Sequence, residues 1–263
     1  LAVACAVVAA RTGRPAKLRY DRDDDMMVTG KRHDLKIRYR AGCDAAGKIT
    51  AVDVLHLIRC GWSQDLSLAV ADRAMLHADN AYFIPNIRIE SHRLKTNTQS
   101  ATAYRGFGGP QGIIGMERIV DHLAHATGRD PVEIMRANFY PEDRALTTQY
   151  GMPVEDSVSA RLVDRLLKDC DFHGRKAAIT EWNARSPVLK RGIAVTPVKF
   201  GISFTLTFLN QAGALVHVYQ DGSVHLSHGG TEMGQGLNQK VAQVVAEVFG
   251  LRARDIQITA ADT

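Results

Sequence analysis

The 263-residue sequence predicts an α+β fold with mixed sheets and packed helices. Segments in which apolar and polar residues alternate are typical of half-buried strands, and they are interspersed with segments of helical periodicity. Capping residues mark several helix ends, such as Gly128 and the Asp130-Pro131 pair. No segment repeats at a fixed period, which argues against a solenoid.

The first half of the chain interleaves both kinds of element. We expect first a helix ended by Gly13, then a charged turn region over residues 21–34 and a hairpin of strands 35–41 and 48–58. Mixed loop and short helix should follow over 62–79, and a strand should resume after Pro85. Two helices come next, one over 111–127 between Pro110 and Gly128 and one that starts at Pro131 with Asp130 as its cap. This order predicts a hairpin of neighbouring strands together with strands that are connected through helices.

The second half begins with helices and then changes to strands. We expect an irregular junction over 141–153, followed by helices over 154–170 and 172–183. Strands are then expected over 192–201, 212–219 and 223–228. A helix over 237–249, ended by Gly250, and a strand over 255–260 complete the prediction. Asp221-Gly222 predicts a tight hairpin between the second and third of these strands. The junction predicts two domains, residues 1–145 and 146–263.

Composition and charge exclude several classes of protein. The net charge of +5 is scattered, which gives no reason to expect nucleic-acid binding, and no apolar run approaches the roughly 18 residues of a membrane span. None of the four cysteines forms a C-x-x-C pair, so we expect neither a structural zinc nor an iron–sulfur cluster on this chain. We interpret the cysteines as reduced thiols of a cytoplasmic protein.

Two glycine-rich segments, residues 105–112 (RGFGGPQG) and 229–236 (GGTEMGQG), each lead directly into a predicted helix. Helix N-termini favour anionic and oxo ligands, and glycine lets a ligand approach the backbone closely. Ordinary turns before helices remain the alternative interpretation of this pattern. Neither segment has the spacing of a phosphate-binding P-loop or a dinucleotide fingerprint.

Five longer segments resemble the molybdenum hydroxylase family, most closely its xanthine dehydrogenases and bacterial ones especially. These segments are residues 21–34, 72–89, 102–112, 199–219 and 228–237. The resemblance runs in order along essentially the whole chain without large gaps. It implies molybdenum-cofactor-binding domains of the xanthine oxidase type, with residues 1–145 part of the first domain and 146–263 part of the second.

The resemblance also implies which residues meet a purine substrate. Arg73 is the expected catalytic and substrate-binding cation, because a guanidinium can stabilise negative charge that builds on the ring. Phe107 is expected to stack on the ring and Phe204 to meet it edge-on. Thr205 is expected to hydrogen-bond the substrate. From the sequence alone, Phe204 and Thr205 are alternating strand residues.

A second set of residues is implied to face the molybdopterin cofactor. Arg105 is expected beside the metal, with its backbone amide contacting an oxo ligand of the molybdenum. Met233, Gly234, Gln235 and Gly236 are expected to contact the pterin, and the Gln235 amide offers both a donor and an acceptor. The two glycine-rich segments should therefore converge on one concave site.

The implied reaction is oxidative hydroxylation of hypoxanthine or xanthine to urate, with electrons passed through 2Fe–2S clusters and FAD to NAD. The clusters and FAD are expected on other domains or subunits, and two copies are expected to pair through this region. An aldehyde or N-heterocycle oxidase of the same family and an inactive fragment without cofactor remain alternatives. The carbon monoxide dehydrogenase branch is disfavoured, because it carries a cysteine where this chain has Gly106-Phe107.

The chain opens without a methionine on a helical pattern and ends on a strand, so we expect an internal fragment. The family's general-base glutamate lies in a C-terminal motif outside this sequence, and we expect the fragment alone to be inactive. His122 and His125 are interpreted as a solvated helix face. The Asp23–Asp25 run is interpreted as a turn or a salt-bridged surface, and Glu232 is assigned no role.

Overall fold

The computed structural model describes residues 1–202, 204–205 and 207–259, which form two compact units, Leu1–Thr205 and Leu206–Thr263. Each unit contains a sheet with both antiparallel and parallel strand pairs and helices packed against it. The predicted α+β class with mixed sheets is therefore confirmed. The predicted boundary between residues 145 and 146 separates two family domains. A division of the chain into compact units does not test such a boundary, so it stays a prediction.

The first unit contains the larger sheet. Its helices are α1 (Ala2–Thr12), α2 (Arg22–Val28), α3 (Ser67–Leu76), α4 (Gly109–Thr127), α5 (Pro131–Asn138), α6 (Ser159–Asp169) and α7 (Phe172–Arg185). Its strands are β1 (Leu35–Cys43), β2 (Ile49–Gly61), β3 (Ile87–Lys95), β4 (Leu146–Thr147) and β5 (Pro153–Val154). β1 and β2 form the predicted hairpin, and β3 adds parallel to β2 after the crossover through α3.

One hydrophobic core lies between this sheet and helices α4 and α5. Met116, Ile119, Val120 and Leu123 recur on one face of α4 at the spacing of an amphipathic helix and are buried. At the N-terminal end of α4, Gly112 lies against α3, where a Cβ atom would be only 2.3 Å from the carbonyl oxygen of Ala74. The close approach of α3 and α4 positions the candidate site.

The second unit consists of strands β6 (Ala214–Val218) and β7 (Val224–His228), helix α8 (Leu237–Phe249) and strand β8 (Ile256–Ile258). β6 and β7 are antiparallel, and β8 pairs parallel to β7. The predicted hairpin turn is confirmed: Gly222 has φ +82°, and the Asp221 carboxylate accepts a hydrogen bond from the Ser223 amide at 2.9 Å. Residue 260 of the predicted last strand lies outside the described residues.

Two predictions for whole segments were wrong, and Phe204 and Thr205, expected in a strand, lie outside any strand. Residues 22–28 form α2 instead of a charged turn, because Asp21 caps the helix and Asp23–Asp25 place negative charge at its N-terminus. Residues 192–201 form no strand. Their backbone binds side chains instead: the Asn80 amide nitrogen donates to the Pro197 carbonyl at 2.9 Å, and the Lys199 amide donates to Asn80 Oδ1 at 3.2 Å.

Neither a helix fit to span a membrane nor a disulfide-bonded cysteine occurs among the described residues. No helix among them has the length and apolar character that crossing a membrane requires. Cys5, Cys43, Cys60 and Cys170 are all free thiols.

Candidate functional site

The loop before α4 holds a strained aromatic residue. Phe107 has φ +50° and lies between Gly106 at +88° and Gly108 at +98°, so three consecutive residues are left-handed. The Phe107 amide donates to the Tyr104 carbonyl at 2.7 Å. A non-glycine residue in this region costs about 1–3 kcal/mol, and such strain clusters at functional sites. The turn fixes the direction in which the Phe107 ring projects.

Two further contacts hold this loop in place. The Arg32 guanidinium donates to the Arg105 carbonyl oxygen at 2.6 Å and lies 4.5 Å from the centre of the Tyr104 ring. Gly108 lies so close to α3 that a Cβ atom would be 2.1 Å from the Val70 carbonyl oxygen. The Arg105 side chain itself is exposed, so the rigid part of this residue is its backbone.

Arg73 is the buried cation of the site. It lies on α3 with only 5% of its surface exposed, and its Cζ atom is 5.3 Å from the centre of the Phe200 ring and 6.0 Å from that of Phe107. Its Nη1 atom donates to the Gly201 carbonyl oxygen. Burial lowers the pKa of Arg73 from its ordinary value. Aromatic faces and a carbonyl therefore surround a positive charge that is largely removed from water.

One predicted substrate residue of the GISFT segment, Phe204, lies beside Phe107. The rings of Phe107 and Phe204 are 5.4 Å apart at an interplanar angle of 50°. The Thr205 hydroxyl oxygen is buried, and within the described ranges it has no hydrogen-bond partner. The two rings fit a planar ligand, and the unsatisfied hydroxyl of Thr205, the residue after Phe204, fits a polar group on the edge of such a ligand.

The second glycine-rich loop is organised by Glu232. Its carboxylate accepts hydrogen bonds from the backbone amides of Gly234 at 2.7 Å, Gly236 at 3.1 Å and Asn238 at 3.3 Å. Desolvation alone would raise the pKa of Glu232, but the backbone hydrogen bonds outweigh it and lower the pKa below its usual value. Glu232 therefore supports the loop and the first turn of α8 as a carboxylate.

The Gln235 side chain folds back on the same loop. Its oxygen accepts from the Met233 amide at 2.6 Å, and its nitrogen donates to the Thr231 carbonyl at 2.8 Å. A carboxamide keeps a second donor hydrogen and a second lone pair after these two bonds, so the exposed group can still bind a pterin edge. Gly236 has open space where a Cβ would stand. The predicted convergence of Gln235 with Arg105 and Phe107 stays a prediction.

The histidines of α4 lie outside this site. His122 and His125 are exposed, as the sequence predicted, and His122 Nδ1 contacts the Tyr39 hydroxyl. Among the residues that the structure describes, no three His, Cys, Asp or Glu side chains form a group that could hold a metal ion.

Three residues that hold the site in place were not predicted from the sequence: His77, Asp79 and Lys199. His77, directly after α3, is four residues from Arg73, a spacing that places the two side chains on the same side of the helix and could have signalled their connection. The buried Asp79 carboxylate forms an ion pair with the partly buried Lys199, with 2.7 Å between Oδ2 and Nζ. Burial raises the pKa of Asp79 even though Lys199 opposes that shift. No local pattern links Asp79 to Lys199, because 120 positions separate them.

The chain matches the molybdopterin cofactor-binding domain family in two segments, residues 1–139 and 165–263. It is 46% identical to the xanthine dehydrogenase/oxidase of Gallus gallus over 263 residues, which cover all of this chain and 19% of that protein. It is 44% identical to the xanthine dehydrogenase of Drosophila subobscura over 259 residues, which cover 98% of this chain and 19% of that protein. The chain therefore spans about a fifth of the length of these relatives.

A solved structure has a similar fold. The aldehyde oxidoreductase of Desulfovibrio desulfuricans superimposes with a TM-score of 0.71 at 25% sequence identity. The match covers 96% of this chain and 27% of that one. The described fold is thus that of a segment found inside larger oxidoreductases.

Proposed function

The chain belongs to the molybdopterin cofactor-binding domain family, and on that basis we propose that it forms part of the purine-oxidising centre of a molybdenum hydroxylase of the xanthine dehydrogenase type. The observation that carries the proposal is the cluster of Arg73, Phe107 and Phe204. Identity to xanthine dehydrogenases over the full length of the chain supports the same proposal.

The side chains of this cluster suit a purine in different ways. The Phe107 and Phe204 rings bind a flat heterocycle, one through its face and the other at an angle. The buried guanidinium of Arg73 stabilises negative charge that develops on the purine ring during oxidation, and a water-poor site strengthens that effect. The free hydroxyl of Thr205 binds a polar edge of the ring and so selects its orientation.

The residues present also suit the cofactor. The backbone of Arg105 in the first loop, and Met233, Gly234, Gln235 and Gly236 in the second, would hold it. When bound, the molybdenum cofactor supplies the redox chemistry of the hydroxylation. We further propose that 2Fe–2S clusters and FAD, on the rest of the complete protein or on partner subunits, carry the electrons away to NAD, and that two copies pair through this region.

An aldehyde or N-heterocycle oxidase is the alternative within the family. The aldehyde oxidoreductase neighbour shares the fold, and fold alone does not separate the two activities. The separating feature is Arg73, because an aldehyde gains little from a cation aimed at a heterocyclic ring.

The experiment is to purify the complete protein that contains this chain, measure its molybdenum content by mass spectrometry, and follow oxidation of xanthine and benzaldehyde with an artificial electron acceptor. We expect stoichiometric molybdenum and urate formation from xanthine. Oxidation of benzaldehyde without urate would establish the alternative. A protein without molybdenum or oxidase activity would be a non-catalytic module.

A further inference from the structure

Three hydrogen bonds join α3 to the segment that leads to Phe204. His77 Nδ1 is 2.9 Å from the Arg73 carbonyl oxygen, the Gly201 amide donates to His77 Nε2 at 3.0 Å, and Arg73 Nη1 donates to the Gly201 carbonyl oxygen. A carbonyl only accepts and an amide N–H only donates, so Nδ1 carries the hydrogen and Nε2 is unprotonated. The three bonds form a closed ring that requires a neutral imidazole.

The surroundings of His77 keep it neutral. Only 4% of its surface is exposed, and this burial lowers its pKa from the ordinary value of 6.5. The hydrogen bond to the Arg73 carbonyl raises the pKa, while the positive charges of Arg73, one turn earlier, and of Lys199 on the packed segment lower it. The net pKa is lowered, so the ring of hydrogen bonds is intact at neutral pH.

Packing contacts connect the segment around Gly201 to the loop of the other aromatic residues. The His77 ring lies 5.0 Å from the Phe200 ring. Phe200 in turn packs onto Gly109 at the start of α4, where a Cβ atom would be 2.4 Å from the Phe200 ring. The segment that carries Phe204 and the loop that carries Phe107 are thus held against the same two helices.

We propose that His77 is a positioning residue of the substrate site, which sets where the Arg73 guanidinium and the Phe204–Thr205 segment lie relative to Phe107. His77 does not have to touch substrate, because it acts through Arg73 and Gly201. The inference rests on the proposed function, since it assigns His77 to the site that binds the purine.

The test compares two substitutions in the complete protein. His77→Leu removes both hydrogen bonds, whereas His77→Gln keeps a neutral side chain whose carbonyl oxygen can accept from the Gly201 amide. We expect His77→Leu to lower kcat/KM for xanthine by on the order of 10- to 100-fold at unchanged molybdenum content, because small misplacements of a binding group have effects of this size. His77→Gln should keep most of the activity.

His56 provides the matched control. It is also buried, on β2, and its Nδ1 has no hydrogen-bond partner within the described ranges. His56→Leu should leave the ratio of kcat/KM for xanthine to that for benzaldehyde unchanged, whereas His77→Leu should lower it. Equal effects of His56→Leu and His77→Leu on this ratio, or equal losses for His77→Leu and His77→Gln, would overturn the proposal.

A pH profile separates positioning from a purely structural role. Protonation turns Nε2 into a donor that faces the Gly201 N–H, so the xanthine-to-benzaldehyde ratio should fall in the wild type as pH drops below 6.5 towards the lowered pKa of His77. The titration of groups that act equally on both substrates changes both kcat/KM values by the same factor, so its effect cancels in this ratio. The ratio should stay level in His77→Gln, and parallel profiles for both proteins would contradict the proposal.

Crystal structures of the complete wild type and His77→Leu variant give a readout that does not depend on activity. We expect the wild type to show the three hydrogen bonds and the variant to show Gly201 and the Arg73 guanidinium displaced. A variant in which both keep their places would refute the role of His77. A wild type with intact hydrogen bonds but no xanthine oxidation would reject the proposed function, and a displacement in His77→Leu would then show only that His77 positions Arg73 and Gly201.

Discussion

At the scale of single residues, Arg73 shows how a cation can persist in an apolar site. A guanidinium is planar and weakly hydrated, so the faces of Phe107 and Phe200 and the Gly201 carbonyl can replace part of its water shell. Its charge is then available to whatever lies against the aromatic residues. The resemblance predicted Arg73 as a substrate residue, and the packing is consistent with the role proposed for it.

Replacing Arg73 with leucine in the complete protein should reduce oxidation of purines far more than oxidation of small aldehydes. The loss for xanthine should be roughly 2–4 kcal/mol in transition-state stabilisation, comparable to removing one oxyanion-hole donor. The measurement is kcat/KM for xanthine and for benzaldehyde.

Arg93 on β3 is the control for this substitution, because it forms a partly exposed ion pair with Asp72 of α3. Arg93→Leu should leave the ratio of the two kcat/KM values unchanged. If Arg73→Leu weakens both activities equally, Arg73 has a structural role.

A second residue-scale prediction concerns the ion pair between Asp79 and Lys199. Lys199→Met leaves the Asp79 carboxylate buried without its cation, and should destabilise the chain by roughly 3–5 kcal/mol. The lost attraction raises the pKa of Asp79 further. The variant should therefore regain stability as the pH falls and the carboxyl group is protonated. Urea unfolding at several pH values measures both effects.

The double variant Lys199→Met with Asp79→Asn removes both charges at once. It should be less destabilised than Lys199→Met alone and should show little of the pH dependence. A double variant as unstable as the single one would mean that lost packing of the Lys199 stem, rather than an unpaired charge, causes the effect.

At the scale of elements, the contact between α3 and α4 decides the geometry of the candidate site. Arg73 and His77 lie on or directly after α3, and the loop of Phe107 leads into α4. Glycine at positions 108 and 112 lets the two helices approach until backbone meets backbone. A side chain at either position would push the cation away from the aromatic ring.

Gly112→Ala should destabilise the chain by about 1–3 kcal/mol, because the new Cβ would lie 2.3 Å from the Ala74 carbonyl oxygen. Alanine is the better helix former by about 1 kcal/mol, so any net loss reports the overlap between the helices. Urea unfolding of the variant gives the free energy of unfolding.

Gly115→Ala, one turn further along α4, is the matched control. Its Cβ would meet only the end of the flexible Ile37 side chain, at 2.9 Å. This variant should be neutral or slightly stabilised. Similar losses at positions 112 and 115 would show that the contact between α3 and α4 is less tight than the structure indicates.

At the scale of the whole molecule, apolar side chains remain on the surface. Helix α1 buries none of its residues, and Val3, Val7 and Val8 are exposed along it. Contiguous apolar surface of this kind favours association. The isolated chain should therefore self-associate with increasing concentration, and the double substitution Val3→Glu with Val7→Glu should reduce this association. Sedimentation velocity measures the mass distribution of both proteins.

Val188→Glu serves as the control, because Val188 is at least as exposed as the three valines of α1 but lies in a loop outside any helix. It should leave the association unchanged, since exposed apolar residues in a loop are ordinary on protein surfaces. Wild-type chain that sediments as a monomer at all concentrations would contradict the prediction.

The sequence by itself determined the elements whose signals are local. The stop of α1 at Gly13, the span of α8 from Leu237 to Phe249 and the hairpin at Asp221-Gly222 follow from capping, periodicity and turn chemistry, which act over a few residues. The resemblance to the family also depends on the sequence alone, and it predicts the candidate site residues.

Only the tertiary structure decided how the segment over residues 192–201 folds and what it does. Its alternating pattern is that of a strand, yet its backbone bonds to the side chains of His77 and Asn80, which lie more than a hundred positions earlier in the chain. Periodicity records which faces are apolar and carries no information about such distant partners. The neighbourhood of Arg73, Phe107 and Phe204 therefore became visible only in the packed structure.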